Sequence, residues 1–248
     1  MRVLILGGTA EASALAAALA GRADIAAILS LAGRTLHPAP SPIPQRIGGF
    51  GGPEGLRASL EAGGVDAVVD ATHPFAARMS RHAAQACEAA GVPLLVFTRP
   101  PWERQGGDRW IDVETMEAAA RALGPEPRRV FLTQGRSQLA AFAAAPQHRY
   151  LVRAIERPAE IDALPFHRLI LSRGPFRLAD EEALMRAENI EIVVSKNSGG
   201  EATYAKIEAA RNLGLSVVMA QRPAKPPVAQ TTRLEQVLAW IEAHRAAP

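Results

Sequence analysis

The sequence predicts an α/β protein made of two halves, each a parallel sheet flanked by helices. Two observations carry this. Short apolar runs rich in Val, Ile and Leu alternate with helical stretches along the whole chain, which implies parallel strands with right-handed crossovers. Most of these runs end in a polar or glycine-rich turn before the next helix, as open α/β sheets do where they meet ligands. Gly124-Pro125-Glu126-Pro127 is the strongest punctuation, so the halves are expected at 1–125 and 126–248.

In the first half, Met1 to Leu6 reads as a strand, Gly7-Gly8-Thr9 as a tight turn and Ala10 to Ala20 as a helix. Nucleotide-binding units open in this way, although the adjacent glycines match the G-x-G-x-x-G spacing only in part. The turn lets backbone approach a phosphate, and Thr9 offers a hydroxyl at the helix start; a glycine-tightened turn without a ligand fits the same residues. Ile25 to Leu29 is a second strand. It runs into Ser30-Leu31-Ala32-Gly33-Arg34-Thr35, with no carboxylate to hold ribose hydroxyls. Arg34 there favours a 2′-phosphate, hence NADP over NAD, but also fits a solvated loop cation.

A short strand near Arg46, a glycine-rich turn and a helix from Gly55 to Ala62 follow. Val65 to Val69 is a strand that closes in Asp70-Ala71-Thr72-His73-Pro74-Phe75-Ala76, and a helix is expected from Phe75 to Ala90. Pro74 suits the first helical position, with Thr72 or His73 at the cap. His73 is a candidate catalytic group or a plain capping histidine. Leu94 to Phe97 is the next strand, followed by a loop through Trp102.

The second half repeats the architecture. Strands at Arg129–Leu132, Tyr150–Ile155, Arg168–Leu171, Ile190–Val194 and Ser216–Ala220 alternate with helical stretches at Gln138–Ala144, Ala179–Ala187 and Thr203–Leu213. Val228 to His244 reads as a closing amphipathic helix. The turn Ser195-Lys196-Asn197-Ser198-Gly199-Gly200 offers a cation, two hydroxyls, an amide and backbone N–H groups, which suits an anionic ligand; the alternative is a well-capped turn with Ser198 near the N-cap. Arg136, Arg173, Lys196 and Arg222 would line a second carboxyl edge fit for a polyanion.

Composition narrows the class. A net charge of +3 with scattered cations and few aromatics argues against a nucleic-acid platform. No apolar stretch approaches the roughly 20 residues that span a bilayer, and the chain opens directly on a strand, so neither membrane span nor signal peptide is expected. Cys87 is the sole cysteine, which excludes an intrachain disulfide and cysteine-based metal sites and fits a reducing cytoplasm. It reads as a small core residue within a helix. No metal site is expected.

Taken together, Leu6-Gly7-Gly8-Thr9-Ala10-Glu11, Asp70-Ala71-Thr72-His73-Pro74-Phe75-Ala76, Arg173-Gly174-Pro175-Phe176, Ser195 to Gly200 with Lys206, and Gln221-Arg222-Pro223 resemble, in order and spacing, the precorrin-6A reductase family of cobalamin biosynthesis. The resemblance runs nearly end to end. It implies two Rossmann-like domains with a cleft between them, NADPH as cofactor, and reduction of one double bond of a carboxylate-rich tetrapyrrole. On that basis the cofactor residues are expected to be Gly7, Gly8, Thr9, Glu11, Ser30, Arg34, Thr72, His73, Ser198 and Gly199. Substrate contacts are expected from Arg136, Arg173, Gly174, Ser195, Lys196, Asn197 and Arg222, with Lys196 and His73 nearest the chemistry and the nicotinamide pointing toward His73 and the 195–200 turn. A monomer is expected. Another NADP-dependent reductase of this fold and a non-catalytic NADPH-binding sensor are the other two classes the residues allow.

Overall fold

The computed structural model describes residues 1–33, 40–133 and 138–245. The chain forms two compact units, one of Met1–Pro100 with Pro223–Pro248 and one of Pro101–Arg222. The first contains β1 (Arg2–Leu6), α1 (Ala10–Leu19), β2 (Ala26–Leu31), β3 (Gln45–Ile47), α2 (Pro53–Gly63), β4 (Ala67–Asp70), α3 (Ala77–Ala90) and β5 (Leu94–Phe97). The second contains β6 (Arg109–Val113), α4 (Met116–Ala122), β7 (Arg129–Leu132), β8 (Arg149–Ala154), β9 (His167–Leu171), α5 (Leu178–Ala187), β10 (Ile192–Lys196), α6 (Ala205–Asn212) and β11 (Ser216–Ala220). The chain then returns to the first unit with β12 (Gln230–Thr231) and α7 (Leu234–Ala243).

Each unit holds a six-stranded parallel sheet, in the order β12-β5-β4-β1-β2-β3 and β6-β11-β10-β7-β8-β9. Both are the 3-2-1-4-5-6 order of doubly wound nucleotide-binding folds. The sixth position of each sheet is filled from the other half of the chain: β6 pairs with β11, and β12 pairs with β5. For this reason the chain does not divide near 125. The Gly124–Pro127 punctuation is the connection from α4 to β7, inside the second unit. The expected closing helix from Val228 is a two-residue strand followed by α7, whose Val237 and Ile241 are fully buried against Leu15, Leu19 and Ile25 of the first unit.

Alternation of side chains builds the first core on both sheet faces. Val3 and Ile5 face α1 and α7, while Leu4 and Leu6 face Leu56 and Leu60 of α2 and Ala83 and Cys87 of α3. Cys87 is thus a core residue, and burial pushes its thiol up to about 12, so it is not a nucleophile at neutral pH. In the second unit Phe131, Val193 and Val217 pack against Met185 of α5 and Ile207 and Ala210 of α6.

Four local expectations change. The fifth strand of the second sheet runs to Lys196, because Ser195 and Lys196 stay in register with Met219 and Ala220; these two residues close the strand and the turn begins at Asn197. Its helix α6 starts at Ala205, so Ser198 does not cap it. Helix α3 begins at Ala77, since Phe75 N–H donates to the ring Nδ1 of His73 (3.2 Å) and Ala76 N–H to its carbonyl (2.7 Å), forming a separate turn. The segment Leu139–Ala144 is a 3₁₀ helix. No helix among the described residues is long and apolar enough to cross a membrane.

Candidate functional site

Each sheet has one point where the chain reverses its direction of travel across the strands. In the first it lies between β1 and β4, in the second between β7 and β10. Ligands of open α/β sheets bind outside the carboxyl ends of strands at such points. The Gly7–Thr9 turn follows β1 and the Asp70–His73 turn follows β4; the Asn197–Gly200 turn follows β10.

At the first edge, Leu6 is in register with both Ser30 and Asp70, so the three strand ends lie level. Gly7 donates its N–H to the Ser30 carbonyl (2.9 Å), and a β-carbon there would lie 2.5 Å from Leu29 Cδ1; it is a packing glycine. Gly8 has φ of 112° and open space where a side chain would be, which is the backbone a phosphate can approach. Thr9 caps α1, its hydroxyl accepting from Ala12 N–H (3.2 Å) and donating to the Ala71 carbonyl (2.7 Å); that hydroxyl ties the two turns together. Thr72 is tied likewise: its N–H and hydroxyl both donate to Asp70 Oδ1 (3.0 and 2.6 Å), while Ser80 donates to Oδ2 (2.5 Å). Glu11 pairs with Arg99 at 2.8 Å.

Ser30 is the last but one residue of β2, near where an NAD-type site has its acid. The structure places Arg46 directly beside it, in register from β3, donating to Ser30 Oγ (2.9 Å) and to the carbonyls of Gly48 and Gly49 (both 3.2 Å). The guanidinium also lies 3.9 Å from the Phe50 ring centroid. Sequence reasoning missed Arg46 as a site residue. The signal was its place on the neighbouring strand, which only the register reveals. Arg34 and Arg136 lie outside the described residues.

His73 sits at the first switch point with its Nδ1 accepting from Phe75 N–H. A neutral ring held this way carries its proton on Nε2.

At the second edge the turn is held from several sides. The Asn197 side chain is 4% exposed and pairs with the backbone of Trp102, accepting from its N–H (2.7 Å) and donating to its carbonyl (3.0 Å). Trp102 Nε1 donates to the Gly200 carbonyl (2.9 Å). Arg222 donates to the carbonyls of Asn197 and Ser198 (both 3.0 Å), and Ser198 N–H donates to the Lys196 carbonyl (2.7 Å). Gly199 and Gly200 have φ of 69° and 78°. Ser195 is buried, Lys196 is partly exposed and Arg173 is exposed. A side chain at Gly174 would meet the Ala202 carbonyl at 2.9 Å, and the following Phe176 N–H donates to that same carbonyl (3.1 Å), so this loop packs on the segment after the turn.

The second unit also holds a buried polar group, of which the sequence had pointed only to Lys206. Arg153 of β8 and Glu181 of α5 form a buried bidentate pair, with the guanidinium 3.6 Å from the Phe176 ring centroid. Lys206 is 4% exposed, and burial pushes its amine down to about 7, with Arg153 adding to the effect and Glu181 opposing it.

Comparison with known proteins decides what this pair of edges belongs to. The sequence profile of the family "Precorrin-6x reductase CbiJ/CobK" matches residues 2–242. The chain belongs to this family. Within it, the chain is 48% identical to "Precorrin-6A reductase" of Rhodobacter capsulatus over all of this chain and 98% of that protein. A solved structure, "CobK precorrin-6A reductase", superposes with a TM-score of 0.93 at 48% identity, covering all of this chain and 98% of that one. The cobalt-dealing members are more distant: "Cobalt-precorrin-6A reductase" of Priestia megaterium is 28% identical over 89% of this chain and 90% of its own. Two Rossmann-like domains are therefore shown both by the sheet order and by this family structure.

Proposed function

We propose that this chain reduces a double bond of the precorrin-6A macrocycle to give precorrin-6B in cobalamin biosynthesis, with NADPH as reductant. The observation that carries this is family membership over residues 2–242, with 48% identity to a precorrin-6A reductase across the full length. That cobalt-precorrin-6A reductases match at only 28% or below supports the metal-free ring as the substrate.

The first edge fits NADPH. When bound, the cofactor supplies a hydride to an electron-poor ring carbon. Gly8 and the start of α1 are suited to its diphosphate. Ser30 and Arg46 stand where NAD-type sites keep a carboxylate, which suits a 2′-phosphate; Arg34 is the second cation proposed there. His73, carrying its proton on Nε2, could donate a hydrogen bond at the switch point. The second edge is the proposed seat of the substrate carboxylates, through Lys196, Arg173 and Arg136, with the N–H group of Gly199 as a further donor. Ser195, Asn197 and Arg222 also hold the turn, through contacts to its own backbone, to Trp102 and to Gln221. The enzyme works in the cytoplasm in this account, in keeping with its one buried thiol.

The test is anaerobic turnover of precorrin-6A with NADPH or NADH, following cofactor oxidation and the ring spectrum together. Stoichiometric NADPH consumption with a spectral shift supports the proposal. Turnover of cobalt-precorrin-6A alone, or of neither ring, contradicts it.

A further inference from the structure

Lys206 has no role in the chemistry above, yet its position is costly. The amine is buried on α6, donates to the Thr203 carbonyl (2.8 Å) and lies 4.8 Å from the Trp102 ring centroid. Burying an amine is unfavourable unless something compensates, and burial has lowered this one to about 7. The charged groups facing it are Arg153 from β8 and Glu181 from α5. Those two already satisfy each other through two hydrogen bonds, so Glu181 does not need the lysine. A methionine would fill the same space without the penalty. Packing alone therefore gives no reason for a lysine here.

Its contacts give one. Trp102 grips the turn at both ends: its backbone holds the Asn197 amide and its indole N–H holds the Gly200 carbonyl. Lys206 braces the face of that indole and, in either protonation state, fixes the carbonyl of Thr203 just beyond the turn. We propose that Trp102 and Lys206 are positioning residues for the reductase, setting the shape in which the Asn197–Gly200 turn presents Lys196 and its backbone N–H groups to the substrate. This rests on the reading that the Lys196 turn binds the tetrapyrrole.

The experiment compares full-length Lys206→Met, Trp102→Phe and Lys196→Ala with the native protein. It measures kcat and KM for precorrin-6A, the Kd of NADPH by fluorescence titration, and the thermal midpoint at pH 7.5. Lys206→Met is expected to raise the midpoint while lowering kcat/KM for precorrin-6A about fivefold to tenfold, the size of one lost positioning hydrogen bond. Trp102→Phe, which removes only the indole donor and part of the ring, is expected to lower kcat/KM by a similar factor. In both, the Kd of NADPH stays unchanged. A gain in stability with a loss of turnover is a combination that a merely structural lysine does not produce. Native kcat/KM in both variants beside an impaired Lys196→Ala overturns the proposal, as does activity that falls only in step with the midpoint. Impaired Lys206 and Trp102 variants beside an unimpaired Lys196→Ala would keep the positioning role and discard Lys196 as the substrate-binding group.

Discussion

Trp102 and Asn197, 95 residues apart in the chain, bind each other twice, the tryptophan N–H and carbonyl pairing with the asparagine side-chain amide at 2.7 and 3.0 Å. This pairing imitates a strand ladder and anchors the Asn197–Gly200 turn of the second sheet to the segment that enters its domain. Asn197→Ala leaves both backbone groups of Trp102 without these partners in a buried place. Urea unfolding should show a loss of roughly 2–4 kcal/mol. Asn197→Asp keeps the acceptor but sets a buried carboxylate oxygen against the Trp102 carbonyl, so it should cost at least as much as alanine; an alanine variant as stable as the native protein would contradict the role.

Arg46 is expected to decide cofactor choice. Removing its guanidinium from beside Ser30 should weaken NADPH binding about tenfold or more while changing NADH much less. Titration of Arg46→Ala with each nucleotide checks this. Equal weakening of both would remove Arg46 from the 2′-phosphate site.

The two glycines after β1 should behave differently. Gly7→Ala brings a methyl against Leu29 and should lower stability by about 1–3 kcal/mol. Gly8→Ala meets no atom of the fold but strains the backbone at its φ of 112°, and its methyl would also stand in the proposed diphosphate approach, so NADPH affinity should drop by a larger factor than the lost stability explains. Calorimetry with and without NADPH separates the two effects.

Lys206 makes stability depend on pH. Its folded amine titrates at about 7 against an ordinary 10.5, so between those values the unfolded chain binds a proton that the folded chain has released. Stability contributed by this group therefore rises with pH across that window, by up to about 1.4 kcal/mol per unit, and is lowest and flat below 7. Denaturant curves from pH 7 to 10 should show this rise, and Lys206→Met should remove it. An unchanged slope in the variant would show that the amine is not buried in this way.

Much of this was legible in the sequence because parallel strands buried on both faces leave continuous apolar runs, as in Val193-Val194 and Val217-Val218. The turns expected after the strands at Leu6, Val69 and Val194 do follow β1, β4 and β10. The exchange of β6 and β12 between sheets was not legible: β12 is two residues long, and its pairing with Val96 and Phe97 leaves no local pattern. Hydroxyl direction was hidden for the same kind of reason. Thr9 and Thr72 look like ligand donors on paper, but their hydroxyls close onto Ala71 and Asp70. Arg46 and Trp102 are read as site residues only once register and long-range pairing bring them to Ser30 and Asn197.

The central claim is hydride transfer from NADPH to the precorrin-6A ring, and isotope tracing tests it most directly. Precorrin-6A would be turned over anaerobically with NADPH stereospecifically deuterated at either face of C4, and the product weighed by mass spectrometry. One of the two labelled cofactors should deliver a single deuterium to precorrin-6B and the other none. A reduced ring that stays unlabelled with both would contradict direct transfer.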